Sequence, residues 1–89
     1  ATADAVGRRL KAIATGSQVL VVTHSPQVAA LGGHHWRVEK RVQNEQTLSR
    51  VVALSPDERI EEIARMLAGD RITEAAREAA RSLLTASLL

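Results

Sequence analysis

An α/β fold, with one buried strand, a β-hairpin and flanking helices, is what the order of apolar residues in this sequence predicts. Three observations carry it. Val19-Leu20-Val21-Val22 is an unbroken, β-branched run of the kind found in strands covered on both faces. Polar and apolar residues alternate from His34 to Val42, and strand formers return from Thr47 to Leu54 after the turn-like Gln43-Asn44-Glu45. Helical spacing governs both ends of the chain, where Ser25-Pro26, Ser55-Pro56 and Thr73 stand as start signals.

Taken in order, Val6, Leu10, Ile13 and Ala14 recur at helical spacing, which predicts a helix from Asp4 to Thr15 stopped by a left-handed Gly16. The strand Val19 to Val22 follows and needs partner strands. Ser25 as cap and Pro26 in the first turn open a short helix, Gln27 to Leu31, which Gly32-Gly33 ends. The hairpin comes next, with Trp36, Val38 and Val42 on one face. Ser55-Pro56-Asp57-Glu58 has the form of a capping box, and Ile60, Ile63, Ala64 and Leu67 then make an apolar stripe that, with the adjacent Met66, reads as core. Gly69 breaks this helix. A last one, capped by Thr73, offers Ala76, Ala79, Ala80, Leu83 and Leu84 for close packing.

Composition sets the bounds. Eighty-nine residues, 45% hydrophobic, suffice for one small core, so the chain is one domain or part of one. Trp36 is the single aromatic residue, which leaves the core to Val, Leu, Ile and Ala and implies modest stability. The absence of cysteine rules out disulfides and thiolate metal sites and fits a reducing cytoplasm. No apolar run approaches the ~20 residues of a spanning helix, and the start of the chain has periodicity rather than a secretion signal, so no membrane is expected as a partner. A net charge of +2 does not by itself specify a nucleic-acid partner.

His24 is the first candidate for chemistry. It ends the apolar run, where open α/β sheets place their ligands, and precedes a helix start, which favours anions. By spacing alone, a lone histidine here is more simply a residue satisfying a local backbone group. Ser25 beside it lacks the glycine-flanked elbow of a nucleophile and reads as a cap. His34 and His35, as strand neighbours, point to opposite faces, which argues against a shared metal. Arg8, Arg9, Lys11, Arg37, Lys40 and Arg41 are either a phosphate-binding surface or, more simply, solvated faces.

Ala5-Val6-Gly7-Arg8-Arg9-Leu10, Gln18-Val-Leu-Val-Val-Thr-His24, Ser25-Pro26-Gln27-Val28-Ala29-Ala30, His34-His35-Trp36-Arg37-Val38-Glu39-Lys40, Glu62-Ile63-Ala64-Arg65-Met66-Leu67-Ala68-Gly69, Ile72-Thr73 and the closing alanine-rich helix through Leu83-Leu84 together resemble the C-terminal part of the RecN family. Two departures stand out: Ser25 occupies a place expected to be apolar, such as leucine, and Leu31-Gly32-Gly33 replaces an Ala-Asp-like approach to His34. The resemblance implies residues 1–89 as a C-terminal subdomain of a P-loop NTPase head of the ABC/SMC-like kind, acting with ATP and Mg2+. The implied partners are the N-terminal part of the same head, a second head in a homodimer, and DNA, in a cytoplasmic, nucleoid-associated protein of double-strand break repair and recombination. It also gives His24 the role of the switch-loop residue that senses the γ-phosphate, which outweighs the backbone-satisfying reading.

No Gly-x-x-x-x-Gly-Lys-[Ser/Thr] loop, ABC signature or acidic strand end occurs here, so the chain alone is expected to be inactive. The first residues look like the segment after the family's D-loop, which suggests an engineered piece, a proteolytic fragment or a truncated gene product. Two alternatives dispense with nucleotide chemistry: a stand-alone DNA-binding module using the basic residues, and a structural module that self-associates through exposed apolar faces.

Overall fold

A computed structural model of the chain describes residues 2–88. Four helices and one antiparallel sheet of two strands follow one another: α1 Thr2–Ile13, α2 Pro26–Leu31, β1 Trp36–Gln43, β2 Gln46–Ala53, α3 Pro56–Ala68 and α4 Glu74–Ala86. The α/β class and the hairpin agree with the sequence pattern. The strand expected over Val19 to Val22 does not form. Residues 18–23 run without helix or ladder, and Val22 is 93% exposed. An apolar run becomes a strand only when another strand satisfies its amides and carbonyls, and among the described residues the hairpin strands pair only with each other.

Local chemistry explains the elements that do form. The Ser55 hydroxyl accepts from the Glu58 amide at 3.3 Å while the Glu58 carboxylate accepts from the Ser55 amide at 2.9 Å, so α3 begins in a complete capping box. The backbone hydrogen bond from Ser55, first, holds the Glu58 carboxyl below its ordinary range. Gly69 ends α3 at φ +80, a conformation its missing Cβ makes cheap, and its amide reaches the Arg65 carbonyl. Thr73 caps α4 by accepting from the Ala76 amide at 3.1 Å. Asn44 and Glu45, both at positive φ, make the two-residue turn that sets Trp36 opposite Ala53 and Val38 opposite Val51. Gly16 is not left-handed: α1 ends at Ile13, and Thr15 and Gly16 close it through hydrogen bonds to Ala12 and Ile13.

The core lies where α2, α3 and α4 meet. Ala30, Ile63, Ala64 and Ala80 are buried together, with Ile60, Met66, Ile72, Ala76, Leu83 and Leu84 packed around them. Ile63 is the largest side chain wholly out of water. Two residues assigned to this core by spacing, Leu67 and Ala79, are exposed instead, because the buried lines run through Ile63 to Met66 and through Ala76, Ala80 and Leu83.

α1 uses another face from the one expected. Val6 and Ile13 are half exposed, whereas Gly7 is buried against α2. A Cβ on Gly7 would sit 2.5 Å from Leu31 Cδ1 and 3.4 Å from Val28 Cα, so the glycine leaves the Leu31 side chain the space it occupies between the two helices. Small size outranked hydrophobicity in choosing the face. The far end of α1 is tied to the last helix by Lys11, whose ammonium donates to the Ser87 carbonyl.

Candidate functional site: the His24 turn

His24 occupies a bend between the extended residues 18–23 and α2, and both its neighbours are pinned. The Thr23 hydroxyl accepts from the Ser25 amide at 2.9 Å, a local turn that spans His24. The Ser25 hydroxyl accepts from the Val28 amide at 3.3 Å and donates to the Gln27 side-chain carbonyl at 3.1 Å. Ser25 is therefore committed to capping α2, in keeping with its expected role, and has no base poised to make it a nucleophile. His24 itself is exposed and takes part in no hydrogen bond among the described residues. Chemically, the turn offers one imidazole with free donor capacity, on a backbone whose flanks are fixed.

The other histidines part company. His34 is exposed, while His35 is half-buried, with its Nδ1 buried and unpartnered. Burial, then the neighbouring Arg59 guanidinium, pushes the His35 pKa below the ordinary histidine value, so the ring stays neutral. Among the described residues no group of three or more His, Asp or Glu side chains is arranged to hold a metal.

The basic residues singled out in the sequence do not act as one set. Arg8 pairs with Asp4 at 3.2 Å, one helical turn away, and Lys11 is spent on Ser87. Arg37 bonds Glu39 at 2.5 Å and lies 3.5 Å from Glu62. Lys40 and Arg41, adjacent on a strand, take opposite faces of the hairpin.

What spacing did not reveal is an ionic cluster linking the hairpin base, α2 and α3. Glu62 is only 5% exposed, yet charged residues on a helix read as a solvated face. Its carboxylate bonds the Arg65 guanidinium and faces Arg37, and those partners, Arg65 first, hold its pKa below the usual carboxylate range. Arg59, on the same helix, turns the other way: the two hydrogens of its Nη2 are shared among the carbonyls of Ala29 at 3.0 Å, Ala30 at 3.2 Å and Gly32 at 2.5 Å. These carbonyls lie at and just past the end of α2, where helical hydrogen bonding runs out; that of Ala29 also accepts from the Gly32 amide at 3.3 Å. No pattern within one element announces a contact thirty residues away.

No family model matches the chain. Curated proteins described as DNA repair protein RecN are similar to it: that of Deinococcus radiodurans is 54% identical over 84 residues, 94% of this chain. The Rickettsia felis protein is 48% identical and the Bacillus subtilis protein 39% identical, each over 82 residues, 92% of this chain. The chain spans only 14–15% of the length of these relatives.

Proposed function

We infer that this chain, which belongs to the RecN family along nearly its whole length, serves as the switch-loop portion of an ATPase head in a DNA repair protein. The observation that carries the reading is the exposed His24, without a hydrogen-bond partner among the described residues and flanked by two residues whose own hydrogen bonds fix the turn. An imidazole presented in this way can donate a hydrogen bond to the oxygens of a terminal phosphate as charge builds there, without first breaking a contact of its own. Thr23 and Ser25 bear the cost of ordering the backbone beforehand.

The residues present suit one contact to a nucleotide and no more. A phosphate-binding lysine loop and the acidic residues that would hold Mg2+ are not in this sequence, so in this reading the rest of the head supplies them. When bound, Mg2+ supplies neutralisation of phosphate charge; this chain supplies the His24 donor and the framework behind it. The P-loop architecture of the complete head, its closure with a second head, and action on DNA at double-strand breaks and in recombination, in the cytoplasm at the nucleoid, are parts of the same proposal.

The test is ATP hydrolysis by a full-length RecN protein carrying this stretch. His24→Ala should lower kcat by about a hundredfold, the typical cost of one lost oxyanion donor, with thermal unfolding unchanged. Hydrolysis at the parent rate by a folded His24→Ala protein would refute the assignment.

A further inference from the structure

We propose that Arg59 is a positioning residue for His24: by gripping the C-terminal end of α2 from α3, it sets where that helix begins and therefore where the ring two residues before it is held. The proposal rests on the switch reading of His24 for its functional consequence, and on geometry alone for its structural one.

α2 has six residues, too few to hold a helical shape by its own hydrogen bonds, so its position is dictated from outside. At its start Ser25 caps one amide. Ala30 and Leu31 are buried at its end, which fixes depth but leaves sliding and rotation resisted only by packing. Arg59 removes that freedom. Its Nη2 lies within hydrogen-bond distance of the Ala29 and Ala30 carbonyls of α2 and of the Gly32 carbonyl just past it, and a cation there also meets the negative end of the helix.

The side chain is placed for this contact at some cost to itself: its buried Nε has no partner. Arg59 stands four residues past Ser55, whose hydroxyl closes the capping box of α3, and its own amide bonds the Ser55 carbonyl at 2.8 Å. The grip on α2 is thereby anchored in a helix whose start is closed by a complete capping box.

Arg59→Met keeps much of the side-chain length and loses the donors. Arg59→Lys keeps a cation with three donors on a slightly shorter arm. In full-length RecN carrying this stretch, Arg59→Met should speed amide exchange across α2 at least tenfold and move the His24 ring resonances in isotope-labelled protein, with α3 and α4 exchanging as before. Arg59→Lys should recover part of both effects. Hydrolysis supplies a second readout: Arg59→Met should lower kcat at least tenfold when His24 is present and change nothing further in a His24→Ala background.

Unchanged α2 exchange and His24 resonances, or the same loss of hydrolysis in both backgrounds, would overturn the proposal. So would faster exchange throughout α3 and α4 in both variants, which would make Arg59 a residue of the general fold. Should His24→Ala leave hydrolysis intact, the switch reading falls, and the exchange and resonance data alone then decide whether Arg59 positions the turn.

Discussion

The α2–α3–α4 cluster and the hairpin with residues 18–23 draw on the same aliphatic residues and put them to opposite use. In the first, Ala30, Ile63, Ala64 and Ala80 vanish from water because three helices meet there. In the second, Leu20, Val22, Trp36, Val38, Val42 and Val51 stay exposed, since among the described residues no second layer closes over them. Hydrophobicity states that a residue would gain from burial; only a neighbouring surface realises the gain. Stability should therefore reside in the helical cluster, and patterning in the hairpin should contribute little to it.

The sharpest way to break that comparison is a matched pair of truncations. Ile63→Ala removes the largest fully buried side chain and should cost about 2–5 kcal/mol in urea unfolding. Val38→Ala, on the outer face of the hairpin, should cost less than about 0.5 kcal/mol. Similar losses at both sites would mean that the hairpin face is covered in solution.

Gly7→Val asks whether α1 belongs with the stable half. The added methyls must enter the space held by Leu31 and the Val28 backbone, so overpacking should cost about 1–3 kcal/mol and make the junction after α1 more sensitive to protease. Neutral or improved stability, from the better helix propensity alone, would show that α1 lies more loosely on α2 than the contact distances imply.

Acid should act on the junction between the two halves. His35 has a lowered pKa in the fold, so its contribution is present above the unfolded value of about 6.5 and is lost as pH falls below it. Glu62, also lowered, contributes above its unfolded value of about 4.3 and gives that up as pH falls through its folded value. Stability measured by urea unfolding should thus decline in two stages on acidification. Glu62→Gln should shrink the lower stage, to which Glu58 and Glu39 also contribute, and leave the upper; a lower stage of unchanged size would place the acid-sensitive carboxylate elsewhere.

The legible features were those decided within a few residues. Ser25-Pro26, the Ser55–Glu58 box and Thr73 start helices because a hydroxyl beside free amides suffices, and the Asn44-Glu45 turn with alternating flanks sets its own register. The same locality made Ser25 readable as a cap, and so fixed the backbone on one side of His24. Features that depend on a surface supplied from afar were not legible. Val19 to Val22 has the composition of a buried strand without a strand to join it, and Gly7, not Val6, faces α2 because the approach of two helices rewarded smallness. Arg59 and Glu62 carry no distinguishing signal within α3, because the groups they bond lie on α2 and at the hairpin base. His24 stood out by its place after the apolar run, whereas the exposure of its ring emerged only with the fold.

The link from Lys11 to the Ser87 carbonyl joins positions 76 residues apart and has a temporal consequence. On a ribosome, the first helix emerges long before its acceptor has been made. Closing so long a loop carries an entropic cost that local contacts do not share. The capped helices and the hairpin can take shape as they appear, but the clasp between the two ends must wait for release of nearly everything between them. Changes near position 87 should therefore alter how the opening helix settles, although the two lie at opposite ends of the chain.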